Sequence, residues 1–123
     1  MPIALQHESD NIFRIGIRGT LRQSEMQDCQ KQLVGEMQRL GTVRLLFVLD
    51  DFKGWAAQDN WNDLSFYVQH GDAIERIAIV GEERWRDHSL MFAAADLRKA
   101  PVEYFLRGAL AQARAWLAEK PAT

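Results

Sequence analysis

The chain has 123 residues, of which 47% are hydrophobic and 26% are charged, and its formal net charge is −2. This size and composition are typical of one globular domain and exclude a disordered chain or a membrane protein. We therefore expect a single domain over residues 1–123. Basic and acidic residues are interspersed without a basic stripe, so nucleic acid is not an expected partner.

The sequence has the features of a cytoplasmic protein. Its one cysteine, Cys29, cannot form an internal disulfide, and a lone thiol suits a reducing compartment. The first residues, MPIALQHESDN, become acidic before any apolar stretch long enough for a signal sequence. The apolar run Leu45–Leu49 is far shorter than the ~20 residues that span a bilayer. We expect a cytoplasmic protein without a transmembrane segment.

Two strands are predicted at the start of the chain. Ile3–Gln6 is a short candidate for an edge strand. After a polar stretch, Phe13, Ile15 and Ile17 alternate with polar residues or glycine, which is typical of a half-buried strand. The two runs are close enough in sequence to pair as an antiparallel hairpin.

An amphipathic helix is predicted within Leu21–Leu40. Thr20 or Ser24 is the candidate amino-terminal cap, and Gly41 is the candidate carboxyl-terminal cap. Apolar residues recur at steps of three and four, which places them on one side of the helix. This apolar stripe comprises Met26, Cys29, Leu33, Met37 and Leu40.

The next strand, Val43–Leu49, differs from the earlier ones because its sequence VRLLFVL does not alternate. A nearly continuous apolar run indicates a central strand that is covered on both faces. Asp50, Asp51 and Gly54 are turn-forming residues, so we expect the strand to end in a turn over Asp50–Trp55.

Helices and strands then alternate to the end of the chain. Helices are predicted over residues 57–70, Glu82–Ala95 and Gly108–Glu119, and strands over Ile74–Val80 and Val102–Phe105. Such alternation favours right-handed crossovers and a largely parallel sheet. The predicted fold class is therefore α/β: a single domain with a mixed, mostly parallel sheet of about five strands and four helices.

With its elements in this order, the sequence resembles the SpoIIAA-like family, which is related to the STAS domains of anti-sigma-factor antagonists. The stretches that carry the resemblance are Phe13–Gly19, VRLLFVLDDFKGW, NWNDLSFYVQHGDAIERIAIVGEERW and the terminal ARAWL. The resemblance implies a mixed sheet with helices and a non-enzymatic role. Members of the family are mostly uncharacterised, and a similarity to lipid-carrying Sec14-like domains implies binding of small hydrophobic molecules.

The sequence departs from the anti-sigma antagonists at one functional position. In those proteins a phosphorylatable serine follows the central strand. Here the corresponding stretch, Asp50–Trp55, contains neither serine nor threonine, and the first hydroxyl after it is Ser65. The serine switch therefore cannot be transferred to this chain.

Aromatic residues are the strongest indication of a binding site. The sequence has four tryptophans, and three of them belong to segments near the predicted strand ends. Aromatic residues at helical spacing usually belong to the core, but Trp55 lies beside Gly54 in a predicted turn. We expect an exposed aromatic loop there, with a lid packed on the second helix as the alternative. The candidate ligand-binding residues are Asp50, Phe52, Trp55, Trp61, Phe66, His70 and Trp85.

Other chemistry is weakly indicated. The pair Asp50 and Asp51 follows a central strand, where open α/β sheets bind ligands, and carboxylates are ligands of Mg²⁺. No third carboxylate or phosphate-binding loop accompanies the pair, so turn capping and solvation are the favoured interpretation. His70 at the end of the second helix has no metal-binding spacing, and it is kept only as a pocket candidate. Cys29 is expected to act as a small buried hydrophobe. We expect no metal, no cofactor and no catalytic residue.

Three functions follow from these observations, in order of preference. The first is a non-enzymatic module that binds a small apolar molecule or lipid near residues 50–55. The second is a protein-interaction module of the anti-sigma-antagonist type without its serine, which would bind a protein partner or form a homodimer. The third, an enzyme that uses Asp50, Asp51 and His70, ranks well below both.

Overall fold

The computed structural model describes residues 3–57, 59, 69–93 and 100–119. The described residues form five strands and three α-helices, together with one-turn 3₁₀ helices at 71–73, 83–85 and 107–109. The strands are β1 (Ile3–Ser9), β2 (Ile12–Leu21), β3 (Val43–Trp55), β4 (Ile74–Gly81) and β5 (Val102–Leu106). The helices are α1 (Gln23–Leu40), α2 (Arg86–Phe92) and α3 (Leu110–Ala118).

The strands form a single sheet in the order β1-β2-β3-β4-β5. β1 pairs with β2 antiparallel, and the remaining neighbours are parallel. The expected hairpin and the mixed, mostly parallel sheet are therefore confirmed. The parallel crossovers all run in the same direction across the sheet, and right-handed crossovers of this kind place their helices on the same face. α1 and α2 lie on that face, and α3 lies on the other.

Alternation along the strands separates two apolar layers. Toward α1, the sheet presents Ile15, Leu45 and Ile77, which pack against the helix stripe of Met26, Cys29, Leu33 and Met37. Toward α3, Leu46 and Ala78 of the sheet pack against Ala113 and Leu117. The nearly continuous apolar sequence of β3 thus reflects a strand covered on both faces, as expected. Leu40, the last member of the predicted stripe, is 37% exposed because it lies in the final turn of α1.

The charged residue inside the apolar run of β3 is also buried. The Arg44 guanidinium pairs with Glu75 at 3.2 Å and donates hydrogen bonds to the carbonyl oxygens of Leu117 and Glu119. Burial acts to raise the pKa of Glu75, but hydrogen bonds from Asn11 and Arg44 lower it overall. Arg44 thereby attaches the end of α3 to the amino end of the central strand β3.

The predicted turn over Asp50–Trp55 is wrong, because these residues continue β3 to its end at Trp55. They pair with β2 through two irregularities. Asp51 has φ of 52° and Gly54 has φ of 107°. Turns and β-bulges both need residues that tolerate left-handed backbone, so the composition DDFKG is compatible with either.

The expected count of four helices is not matched in the part of the chain that the structure describes, where there are three. The helix expected over 57–70 falls largely on 58 and 60–68, outside the described residues. The predicted helix over Glu82–Ala95 begins instead with the 3₁₀ turn Glu83–Trp85.

The predicted caps of α1 are wrong at its amino end, since Thr20 belongs to β2 and Ser24 lies within the helix. The backbone amide of Arg22 donates instead to the Glu25 carboxylate at 2.9 Å, and that of Gln23 donates to Asp59 at 2.8 Å. At the other end Gly41 is the cap, as expected.

Candidate functional site

The two irregularities in β3 direct aromatic side chains to one face of the sheet. From Ile17 to Gly19, β2 advances two residues while β3 advances three, from Leu49 to Phe52. From Gly19 to Thr20, β2 advances one residue while β3 advances two, from Phe52 to Gly54. In a regular strand, residues three apart point to opposite faces. The extra residue between Phe52 and Trp55 returns Trp55 to the α1 face, where Phe52 already lies.

Phe52, Trp55 and Trp85 form an aromatic cluster at the carboxyl end of β3. Their ring centroids are 4.9 Å apart for Phe52–Trp55, 5.0 Å for Phe52–Trp85 and 6.0 Å for Trp55–Trp85, all with edge-to-face geometry. Such contacts are favourable because the positive edge of one ring meets the negative face of another. Gly54 permits this packing, since a Cβ atom there would lie 3.3 Å from the Trp85 ring.

Trp55 is half-buried within this cluster and is not part of an exposed aromatic loop, so that expectation is wrong. Its ring also contacts Phe92 of α2, at a centroid distance of 5.5 Å. Phe52 is 1% exposed and therefore belongs to the core. The cluster joins the end of β3 to the segment that begins at Trp85 and continues into α2.

A partly open cavity of about 100 Å³ extends from this cluster between the sheet and α1. Its described lining comes from β2, β3, β4, α1 and α2 and is almost entirely apolar. The lining includes Ile15, Ile17, Leu45, Phe47, Ile77, Met26, Cys29, Leu33, Phe52, Trp55, Ser89 and Phe92. The cavity therefore runs along the α1 face of the sheet and ends against the aromatic cluster.

Three polar atoms of the aromatic cluster and of α2 are buried and have no hydrogen-bond partner among the described residues. They are the indole nitrogens of Trp55 and Trp85 and the hydroxyl oxygen of Ser89. Ser89 is only 3% exposed. An unsatisfied buried donor typically costs about 1–3 kcal/mol, so these three groups require an explanation. Trp55 and Ser89 line the cavity itself, and Trp85 packs against Trp55.

The cavity is electrically neutral along its described lining. No Asp, Glu, Lys, Arg or His is among the described lining residues. Burial raises the pKa of the Cys29 thiol to about 11, so this side chain is uncharged at neutral pH. The expectation that Cys29 is a small buried hydrophobe is confirmed.

Asp50, one of the candidate ligand-binding residues, does not line this cavity. It lies on the opposite face of the sheet, with a side chain that is 55% exposed. Its carboxylate is 3.6 Å from Arg107 and 3.9 Å from Arg18. The Asp51 carboxylate is also exposed and pairs with Lys53 at 3.3 Å.

His70 is likewise distant from residues 50–55. It directly precedes the 3₁₀ turn that leads into β4, so it lies near the amino end of that strand. β3 and β4 are parallel, and Asp50 follows seven residues of β3, about 20 Å farther along the sheet. Asp50, Asp51 and His70 therefore do not form a common site. Trp61 and Phe66, the other predicted residues, lie outside the described part of the chain.

Two parts of the cavity lining were not predicted as site residues. The stripe of α1 was assigned to the core, and it is buried, but Met26, Cys29 and Leu33 also face the cavity. Ser89 was not among the predicted ligand-binding residues. Its position offered a signal, because it follows Trp85 by four residues and precedes Phe92 by three, which places a hydroxyl on the apolar side of a helix.

Across residues 3–57, 59, 69–93 and 100–119, no group of three or more His, Cys, Asp or Glu side chains is arranged to hold a metal ion. In the same part of the chain, no helix is both long enough and apolar enough to cross a membrane.

The sequence pattern of the SpoIIAA-like family matches residues 12–118, which include every element described here except β1. The chain belongs to the SpoIIAA-like family. A crystal structure with a SpoIIAA-like fold, of an uncharacterized DUF3478-family protein from Shewanella loihica PV-4, superposes with a TM-score of 0.72. The two proteins are 18% identical, and the match covers 94% of this chain and 92% of the other. Among curated proteins no relative is found.

This member of the SpoIIAA-like family carries no hydroxyl residue in the bulged end of β3. Within the described part of the chain, the hydroxyl that shares a cavity with Phe52 and Trp55 is that of Ser89, which comes from α2. The distinctive feature of this region is therefore a buried aromatic cluster with unpaired donors at the end of an apolar cavity.

Proposed function

We propose that this domain is a non-enzymatic binding module for a small, mainly apolar molecule, which occupies the cavity between α1 and the sheet. The observation that carries the proposal is an apolar cavity that ends at Trp55 and Ser89, whose buried polar atoms have no partner among the described residues. Binding pockets for small molecules characteristically combine an apolar lining with a few polar groups that orient the ligand.

The cavity volume limits the size of the molecule. A dry apolar cavity of about 150 Å³ accepts benzene. The volume here is about 100 Å³, two-thirds of that, so the cavity encloses about four heavy atoms, and the rest of a larger ligand would extend toward its open part. A short alkyl segment, or one side of a six-membered ring, meets this limit.

Recognition of a protein partner or formation of a homodimer is the second candidate, and the structure offers less to support it. The large apolar side chains that are exposed in the described residues are Leu40, Met91 and Leu106. They lie on three separate elements, whereas a docking surface for a protein usually presents a contiguous apolar patch. We therefore rank ligand binding first.

Methyl NMR of methionine tests the proposal with internal controls. Met26 lines the cavity. Met37 is buried nearer the carboxyl end of the same helix and is not among the lining residues, and Met91 is 76% exposed. On titration with methylenecyclohexane, an apolar six-membered ring, the Met26 methyl signal is expected to shift and saturate. The Met91 signal is expected to stay in place, because its side chain does not face the cavity.

A pair of substitutions at Cys29 provides the matched control. Cys29→Leu adds two heavy atoms to a side chain that lines the cavity, so it is expected to abolish the Met26 shift. Cys29→Ala removes the sulfur and enlarges the cavity, so binding is expected to persist. Circular dichroism verifies that both variants fold. A folded parent protein whose Met26 signal does not respond, or a Cys29→Leu variant that binds as well as Cys29→Ala, contradicts the proposal.

A further inference from the structure

The buried hydroxyl of Ser89 is the least expected group in the cavity. A serine within a helix usually faces solvent or donates to the carbonyl oxygen four residues earlier. Ser89 does neither, since it is 3% exposed and its oxygen has no hydrogen-bond partner among the described residues. A buried polar side chain without a partner requires an explanation, and a hydrogen-bond partner from outside the chain supplies one.

The indole of Trp55 presents the same situation. Its Nε1–H group can only donate a hydrogen bond, and it is buried without an acceptor among the described residues. Trp55 and Ser89 line the same cavity, one from the end of β3 and the other from α2. Trp85, which packs against Trp55, has a third unpaired indole N–H. Two unpaired polar groups thus line the cavity, and a third belongs to a ring that packs against one of them.

The charge of the surroundings restricts which acceptor these donors suit. The other polar side chains in the described lining are Cys29 and Gln30, and neither is charged. The arginines nearest in sequence, Arg84 and Arg86, are exposed and pair with Glu82 and Glu83. A carboxylate in the cavity would lose its hydration without gaining a cationic partner, which is strongly unfavourable. An uncharged acceptor avoids the free-energy cost of removing a charge from water.

We propose that the ligand carries an uncharged carbonyl oxygen, which accepts hydrogen bonds from the Ser89 hydroxyl and the Trp55 indole, while its apolar part lies along α1. This inference rests on the proposed function and specifies the chemical class of the ligand. The ligand class is a small neutral ketone, aldehyde, ester or amide with a compact apolar body.

Two probes of nearly the same shape test the inference. Cyclohexanone and methylenecyclohexane differ in one position, where a carbonyl oxygen replaces a CH₂ group. Dissociation constants are measured for both from the Met26 methyl shift. Cyclohexanone is expected to bind about tenfold more tightly, which corresponds to one well-formed hydrogen bond. Hexanoate, an anionic probe with an acceptor at one end, is expected to bind more weakly than cyclohexanone.

Substitutions of the two donors identify the groups involved. Ser89→Ala is expected to remove most of the tenfold preference while methylenecyclohexane still binds. Trp55→Phe retains an aromatic ring without the N–H and is expected to reduce the preference in the same way. The matched controls are Ser24→Ala, an exposed helical serine, and Trp116→Phe on the α3 face, and both are expected to keep the preference.

The outcomes separate this inference from the proposed function. If both neutral probes bind with equal affinity, or if Ser89→Ala and Trp55→Phe both keep the preference, the carbonyl inference is refuted and the apolar cavity remains. Tighter binding of hexanoate than of cyclohexanone refutes the uncharged acceptor. If neither neutral probe binds to the folded parent protein, the proposed function itself is refuted.

Discussion

Gly81 ends β4 at a point where there is no room for a side chain. A Cβ atom at this position would lie 2.6 Å from the hydroxyl oxygen of Tyr104 and 3.1 Å from Cδ1 of Leu49. The Tyr104 hydroxyl donates to the carbonyl oxygen of Glu82 at 2.5 Å, and burial raises the pKa of Tyr104 to about 12. This bond holds the start of the 3₁₀ turn that carries Trp85, so Gly81 supports the geometry of the aromatic cluster.

The substitution Gly81→Ala is expected to destabilise the domain by about 2–4 kcal/mol. Overpacking of a filled site typically costs about 1–3 kcal/mol. The hydroxyl must also retreat by about 0.8 Å to reach the 3.4 Å of an ordinary contact, and loss of its hydrogen bond adds about 1 kcal/mol. Urea unfolding followed by circular dichroism measures the effect as a change in midpoint at constant slope.

Two further variants make this prediction specific. Gly16→Ala introduces the same methyl group in β2, where no atom lies within 4 Å of the new Cβ, so its effect is expected to be below about 1 kcal/mol. Tyr104→Phe removes the clashing oxygen, so Gly81→Ala is expected to cost about 1 kcal/mol less in that background. The reasoning is refuted if Gly81→Ala destabilises no more than Gly16→Ala, or if its cost is unchanged by Tyr104→Phe.

Three other properties of the domain follow from the same contacts. Phe52→Ala is expected to cost about 3–5 kcal/mol and to shift tryptophan emission to the red, because Trp55 and Trp85 lose the ring that contacts both; an unchanged spectrum contradicts this packing. The Cys29 thiol, with its pKa raised to about 11, is expected to react with 5,5′-dithiobis(2-nitrobenzoate), a reagent too large and too highly charged for the apolar cavity, only as fast as the protein unfolds at mildly alkaline pH; rapid labelling of the native state argues against its burial. Because the pKa of Glu75 is lowered below 4.5 in the folded state, its contribution to stability is complete above that pH and is lost as the pH falls through the lowered value. The stability difference between the parent and Glu75→Gln, from urea midpoints at several pH values, should therefore shrink on acidification, and a constant difference contradicts the pairing.

The strand and helix pattern was largely predictable because it depends on local periodicity. Alternation in β2, the apolar stripe of α1 and the continuous apolar run of β3 each report which faces are covered. The pattern also predicted the parallel order of the inner strands, since helices separate them. These features follow from the hydrophobicity of neighbouring residues, so no knowledge of distant contacts was needed.

At the end of β3, local sequence patterns no longer predict the structure. Asp51 and Gly54 have left-handed backbone in the observed bulges, turns favour the same residue types, and only pairing with β2 distinguishes the two. The bulges then determine that Phe52 and Trp55 share a face and that Asp50 points away from them. A shift of one residue reverses the direction of a side chain, so an error about the turn becomes an error about the site.

By itself, the sequence determined the fold class, the mixed sheet and the importance of the segment that follows the central strand. Only the tertiary structure decided that this segment is a bulged strand, that His70 lies at the other end of the sheet, and that Ser89 shares a cavity with Trp55. The physical reason is the range of the interactions. Periodicity records burial along one element, whereas a cavity and its unpaired donors arise where β3, α1 and α2 meet across long separations in the chain.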